Sequence, residues 1–145
     1  MFKALIEKDQ KLREITAEDL MVDVPYLHPE MRMSDAGEIL RQEHKQALPV
    51  VLEGTAHVVG IISEKDIIRF LYDLEKYENP YGYVKNYMTT NLKNIYVTHT
   101  LYEILSFFLK TNIKAFPVIK SAEIVGVVYR YTIINYVSQI EQDFK

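Results

Sequence analysis

Residues able to do covalent chemistry are few and scattered in this 145-residue chain. There is no cysteine, so neither a thiolate nucleophile nor a thiolate metal site is available. Four histidines, His28, His44, His57 and His99, lack the i, i+4 spacing that places two imidazoles on one helix face, and no carboxylates cluster beside them. With five glycines in all, no loop is rich enough to cradle a triphosphate, and neither a Gly-Lys-Ser/Thr run nor a nucleophile elbow occurs. No catalytic residue and no metal ligand is expected, and the chain does not read as an enzyme. One constellation stands out: Gly60-Ile61-Ile62-Ser63-Glu64-Lys65-Asp66, an apolar run that hands over to a hydroxyl with an acid three residues on. At a helix start this spacing lets the Ser63 hydroxyl accept a backbone N–H and puts Asp66 in the first turn, where a carboxylate suits the helix dipole. Spacing alone favours capping.

The same run returns, altered, as Gly126-Val127-Val128-Tyr129-Arg130-Tyr131-Thr132, and it belongs to a wider duplication. Ala47-Leu48-Pro49-Val50-Val51 recurs as Ala115-Phe116-Pro117-Val118-Ile119, and Met21 as Met88, at separations of 66 to 68 residues. Solenoid and propeller repeats run to about 50 residues, so this period indicates a small domain duplicated and fused. Concave sites between related halves suit small ligands.

The elements that must position these residues follow from periodicity and punctuation. Residues 2–13 form one amphipathic helix outside the duplication, with Leu5, Ile6 and Leu12 as apolar contacts, serving as a brace or a partner surface. The chain thus divides into an N-terminal helix (1–14), a first repeat (15–80) and a second repeat (81–145). In the first, Thr16 caps a short helix ending near Met21, an extended piece surrounds Tyr26-Leu27, and a helix covers Ser34 to His44. Strands at 47–51 and 58–62, joined through Gly54, lead to a helix from Ser63 to about Tyr77. Glu78-Asn79-Pro80-Tyr81-Gly82 is a turn-rich linker. The second repeat has a turn at Val84 to Met88, a strand at 95–97, and a helix at 101–112 opened by the capping box Thr100-x-x-Glu103. Strands at 116–119 and 124–128, in a hairpin two residues shorter than the first, precede a last helix to about Gln142. Each repeat reads β-α-β-β-α, an α/β arrangement with each sheet covered by helices on one side and by the other repeat on the second.

An apolar-Pro-Val strand followed by Gly-apolar-apolar-Ser-x-x-Asp, preceded by a Met-initiated strand and a helix and then repeated in order, resembles a tandem pair of cystathionine-β-synthase (CBS) domains, the Bateman module. The resemblance covers residues 15–140. It implies two pseudo-symmetric repeats packed sheet to sheet and dimerisation into a flat disc. It also implies regulatory binding of an adenosine ligand (AMP, ADP, ATP or S-adenosylmethionine) in the clefts between repeats. In the family's pattern Asp66 holds the ribose, because a carboxylate accepts charge-assisted bonds from both hydroxyls. Ser63 and Lys65 face the phosphates at the helix N-terminus. The resemblance places the adenine slot between Tyr26-Leu27 and Ala47-Leu48-Pro49, with Leu27 and Leu48 packing the core whether or not a ligand binds. The second repeat carries Tyr129 for Ser63 and Thr132 for Asp66, so it lacks the ribose carboxylate, and Thr132 reads as a cap of the last helix. Arg130, across the cleft from the first motif, either supplies a cation to a ligand phosphate or is a solvated surface arginine. The implied function is a stand-alone sensor signalling by population shift, through conformation or assembly, to an unidentified effector protein. The alternative is a structural homodimerisation scaffold whose site is vestigial.

Composition bounds the remaining classes. An apolar fraction of 48% and a charged fraction of 26% match ordinary globular usage. A net charge of −3 removes the global attraction that drives non-specific nucleic-acid binding, which disfavours that partner. Charge interrupts the apolar positions of the first eight residues, so a signal peptide is not expected there. Apolar runs such as Ile104 to Leu109 are far short of the roughly 20 residues a bilayer requires. Together with the lack of cysteine, this makes a cytoplasmic location, away from the membrane, the expectation. Tyr72, Tyr77, Tyr81, Tyr83, Tyr87, Tyr129, Tyr131 and Tyr136 crowd the linker and final helices, and such side chains suit a subunit contact more than stacking on a base. A homodimer is expected, with the helical faces Leu101–Leu109 and Ile133–Ile140 as its surface.

Overall fold

A computed structural model describes residues 9–77 and 82–143. Leu5, Ile6 and most of the expected linker lie outside the described residues. Helix α1 (Asp9–Arg13) lies within the stretch expected to be the N-terminal helix, and its Leu12 packs against a hydrophobic core. In order, the remaining elements are α2 (Ala17–Leu20), α3 (Met33–Glu43), β1 (Ala47–Val51), β2 (Val58–Ser63), α4 (Glu64–Lys76) and α5 (Val84–Tyr87). They continue as β3 (Ile95–Tyr96), α6 (Leu101–Lys110), β4 (Ala115–Lys120), β5 (Glu123–Tyr129) and α7 (Arg130–Asp143).

These elements form two compact units whose boundaries differ from those of the sequence repeats. One gathers the described residues of 24–92 with 122–124; the other gathers those up to Asp23, 93–121 and those from Val125 onward.

In the unit built on 24–92, β1 is buried along its whole length and pairs antiparallel with β2, with Ala47 opposite Ser63 and Pro49 opposite Ile61. Pro49 has no N–H to give, but its carbonyl accepts from Leu27 N at 2.9 Å, and Val51 N returns a bond to Leu27 O at 2.9 Å. The extended piece expected around Tyr26-Leu27 therefore shrinks to a single residue, Leu27, bridging parallel to Val50. The outer edge of β2 is closed by Thr89, which exchanges backbone bonds with Ile61 at 3.0 and 2.9 Å. Helix α3 buries Met33, Ala36 and Leu40, the i, i+3, i+7 stripe of an amphipathic helix, and ends at His44 in the left-handed conformation. Leu27, Leu48, Val50 and Ile62 complete that core.

The other unit repeats the plan. A three-stranded sheet runs β3-β4-β5, with β3 parallel to β4. Val22 closes the β5 edge through paired bonds to Val127, both 3.0 Å. The capping box Thr100–Glu103 opens α6, and the bond from Thr100 N holds the Glu103 carboxyl below its ordinary range. The helical faces expected to form a dimer surface are largely used up here. Leu101, Ile104, Phe108, Ile133, Val137 and Ile140 are buried around Phe116, because a three-stranded sheet needs both helices to cover it. Leu109 and Ile134 stay exposed on these two helices, and a longer run of exposed apolar side chains lies along α4, where Ile68, Leu71, Tyr72 and Leu74 face solvent.

The repeated methionines and glycines turn out to be two copies of one contact, exchanged. A Cβ built on Gly60 would stand 2.6 Å from Met88 Sδ, and one on Gly126 would stand 2.8 Å from Met21 Sδ. Met21 and Gly60 belong to the same sequence repeat, yet the contacts made are Met88–Gly60 and Met21–Gly126. Each sheet is finished by the segment that opens the other repeat.

Candidate functional site

The strand-to-helix corner at Ser63 forms because Ile61 and Ile62 are buried in β2 while Ser63 takes extended dihedrals and caps α4. Glu64 N donates to Gln46 O at 2.9 Å, which fastens the helix start to the beginning of β1. The register Ala47↔Ser63 and the Leu27–Pro49 bond bring Leu27, Ala47, Leu48 and Pro49 to this side of the sheet beside the motif. Leu27, Ala47 and Leu48 are fully buried, and Leu27 and Leu48 are core residues, as expected of them with or without a ligand. Tyr26 is half-buried, and Lys65 is exposed on the first turn of α4.

Asp66 is the centre of the corner and is only 2% exposed. Its Oδ2 accepts from Ser63 N at 2.8 Å and from the Ser63 hydroxyl at 3.1 Å, completing a capping box with the bond from Asp66 N to Ser63 Oγ at 3.4 Å. The second oxygen, Oδ1, accepts from Arg69 Nη2 in an ion pair one helical turn on. Arg69 also donates to Tyr87 O at 3.4 Å. Tyr87 in turn donates its hydroxyl to Asp73, and burial together with that carboxylate raises its pKa to about 12. Arg69, Asp73, Tyr87 and Met88 line an open groove of about 700 Å³ between α4 and α5. Asp66-x-x-Arg69 was readable as a helical i, i+3 pair. The Tyr87 contacts were not, since they join positions 14 and 18 residues apart across a linker.

The corresponding corner of the other unit is built differently. Thr132, 4% exposed, accepts from Tyr129 N at 3.1 Å and donates to Tyr129 O at 2.8 Å, so its hydroxyl is occupied at the start of α7. Tyr129 is buried and stacks on Tyr131 at 5.4 Å. Arg130, the first residue of α7, is exposed, with its guanidinium 6.0 Å from the Phe108 ring. Arg130 belongs to this unit, while Ser63, Lys65 and Asp66 belong to the one built on 24–92.

The histidines have separate structural tasks: His28 Nδ1 lies 3.1 Å from Val51 O, and His99 Nδ1 accepts from Tyr96 N at 2.8 Å. Among the described residues no three His, Asp or Glu side chains are grouped to hold a metal ion, and no helix is long and apolar enough to cross a membrane.

Comparison with known proteins gives the architecture a context. The family model for the CBS domain matches twice, over residues 15–73 and 84–139. An uncharacterized 33.4 kDa protein in the ribosomal RNA operon of Thermofilum pendens is 27% identical over 128 residues, and the chain spans 41% of that relative's length. Among solved structures, CBSX2 in complex with AMP aligns with a TM-score of 0.76 at 22% identity, covering 88% of this chain and 98% of that one. A structure of that protein from Arabidopsis thaliana, described as a CBS-pair protein, aligns at 0.75. The CBS domain pair of protein MJ0100 in complex with 5′-methylthioadenosine and S-adenosyl-L-methionine aligns at 0.72 with 24% identity, covering 83% and 97%.

Proposed function

Because the chain belongs to the CBS-domain family and carries the domain twice, we propose that it is a regulatory module. In this reading it binds an adenosine nucleotide or another adenosyl compound at the Ser63–Asp66 corner. It reports the ligand to an effector protein through a change of conformation or assembly, and it makes or breaks no bonds itself. The observation that carries the proposal is the placement of Asp66 beside Ser63 at the start of α4, next to Leu27 and the first residues of β1. One corner thereby offers a carboxylate for ribose hydroxyls, a helix N-terminus for phosphate and an apolar wall for a base. Two structures of similar fold are described with adenosyl compounds bound, which supports this ligand class. Thr132 gives the other unit no equivalent carboxylate, so one site per chain is expected.

A scaffold role has its own supporting observation: the Asp66 carboxylate is buried and already holds the capping box. Melting scans and calorimetry with AMP, ATP and S-adenosylmethionine separate the two. A ligand that binds the native state adds about 2.7 kcal/mol at a hundredfold excess over its Kd, a shift easily seen. Asp66→Ala removes one or two charge-assisted bonds of roughly 1.5–3 kcal/mol each, so affinity falls at least about tenfold. If Asp66→Ala lowers the melting point of the free protein and leaves nucleotide affinity untouched, the scaffold role stands and the sensor is refuted.

A further inference from the structure

The geometry points to Arg69 as a latch on the ligand site: its guanidinium occupies the carboxylate oxygen of Asp66 that a ribose would need, and a ligand enters by displacing it. This rests on the proposed reading of the Ser63–Asp66 corner. A carboxylate offers about four lone-pair positions. Ser63 takes two through its N–H and hydroxyl, both on Oδ2, and Arg69 takes Oδ1. Two vicinal hydroxyls cannot both be accommodated while Arg69 stays, and the Asp66 side chain, 2% exposed, presents nothing to an incoming molecule.

The asymmetry of the pair makes the latch releasable. Arg69 is 55% exposed against 2% for Asp66, so the arginine can swing into water while the carboxylate stays fixed in its capping box. The same Nη2 reaches Tyr87 O at the end of α5, at 3.4 Å, so the latched state adds a tie between α4 and α5 beside the Tyr87–Asp73 bond, and the released state keeps only the latter. Displacement would loosen α5 immediately before Met88, whose side chain packs on Gly60. Ligand occupancy would thus be coupled to the sheet edge closed by Thr89.

An affinity measured against a partly closed site is weakened by the open fraction, so removing the latch should tighten binding without adding a contact. Calorimetric titration of the full chain with adenosine and with AMP, on wild type, Arg69→Met and Arg69→Lys, tests this. With the closed state near nine-tenths populated, Arg69→Met should bind both probes about tenfold more tightly, and Arg69→Lys should fall between. Tightening for both probes supports the latch, including the case in which only the variants bind measurably. Should Arg69→Met fail to fold, the Lys variant decides by the same criterion. Weaker AMP binding with adenosine unchanged would make Arg69 a phosphate grip, and unchanged affinity for both would leave it a surface ion pair. Either result overturns the latch while the adenosyl reading stands. If no protein binds either probe, the adenosyl reading fails and the latch falls with it.

Discussion

The exchange of Met21 and Met88 between the sequence repeats is open to a quantitative test, because glycine is required at the contact for space. In Gly60→Ala the new Cβ would meet Met88 Sδ at 2.6 Å, Cγ at 2.9 Å and Cβ at 3.1 Å. Carbon contacts relax to about 3.5–4.0 Å, so the methionine must withdraw by about 1 Å. Turning its end aside clears Sδ and Cγ but not Cβ, so part of the strain falls on the backbone that ends α5. Overpacking of this kind costs about 1–3 kcal/mol. Truncating the half-buried Met88 to Ala alone should cost about 1–2 kcal/mol. In the double variant most of the clash is gone, so the two losses should fall short of additive by about 1–2 kcal/mol, within the range found for residues in contact. Urea unfolding of the four proteins measures this coupling, and a second cycle on Gly126 and Met21, where the built Cβ meets Sδ at 2.8 Å, should give a similar value. The control pairs Gly60→Ala with Met21→Ala, two landmarks of one sequence repeat, and should be additive within about 0.5 kcal/mol. Coupling in the control pair, or none between Gly60 and Met88, would refute the exchanged packing.

Tyr87 should make stability fall at alkaline pH. The folded protein holds its hydroxyl proton up to about 12, above the ordinary 10.0, so the Asp73 bond contributes fully below pH 10 and is lost as the pH rises from there towards 12. Urea midpoints at pH 9 and 11 should therefore drop further for wild type than for Tyr87→Phe, and equal drops would contradict the assignment. A homodimer, if formed, should use the exposed stripe of α4 and not the faces first expected of α6 and α7. Light scattering should give twice the 17.0 kDa chain mass for wild type and half of that for a Leu71→Glu variant; a wild-type monomer at micromolar concentration would exclude it.

What the sequence made legible is local. Caps at Thr16, Ser63 and Thr100, each with its acid three residues on, name helix starts because both partners sit within one turn. The buried strands at Pro49 and Pro117 announce themselves as continuous apolar runs. Strand partners at long range are another matter. Both repeats carry the same Met and Gly landmarks, so periodicity shows that a Met–Gly contact exists without saying which copy supplies which residue. Apolar faces mislead for a related reason: α6 is as apolar as a dimer surface would be, but the same stripe is what its own sheet demands. The second hairpin conceals its turn in ordinary residues. Ser121 and Ala122 both take positive φ, 51° and 67°, a conformation usually marked by Gly or Asn, and only the short spacing between the strands betrayed it.

At the site, the ambiguity of Ser-x-x-Asp between cap and ligand has a structural source. The two roles fall on different oxygens. Asp66 Oδ2 is committed to Ser63, whereas Oδ1 is held only by a half-exposed arginine that water can replace. One side chain can therefore cap α4 permanently and still have an oxygen to offer. Thr132 has a single oxygen, which accepts from Tyr129 N and donates to Tyr129 O, and nothing remains after the cap is made. Spacing alone cannot separate the roles because the cap is common to both corners. The second carboxylate oxygen is what differs between them, and its loss at position 132 is why a chain that repeats its fold is not expected to repeat its site.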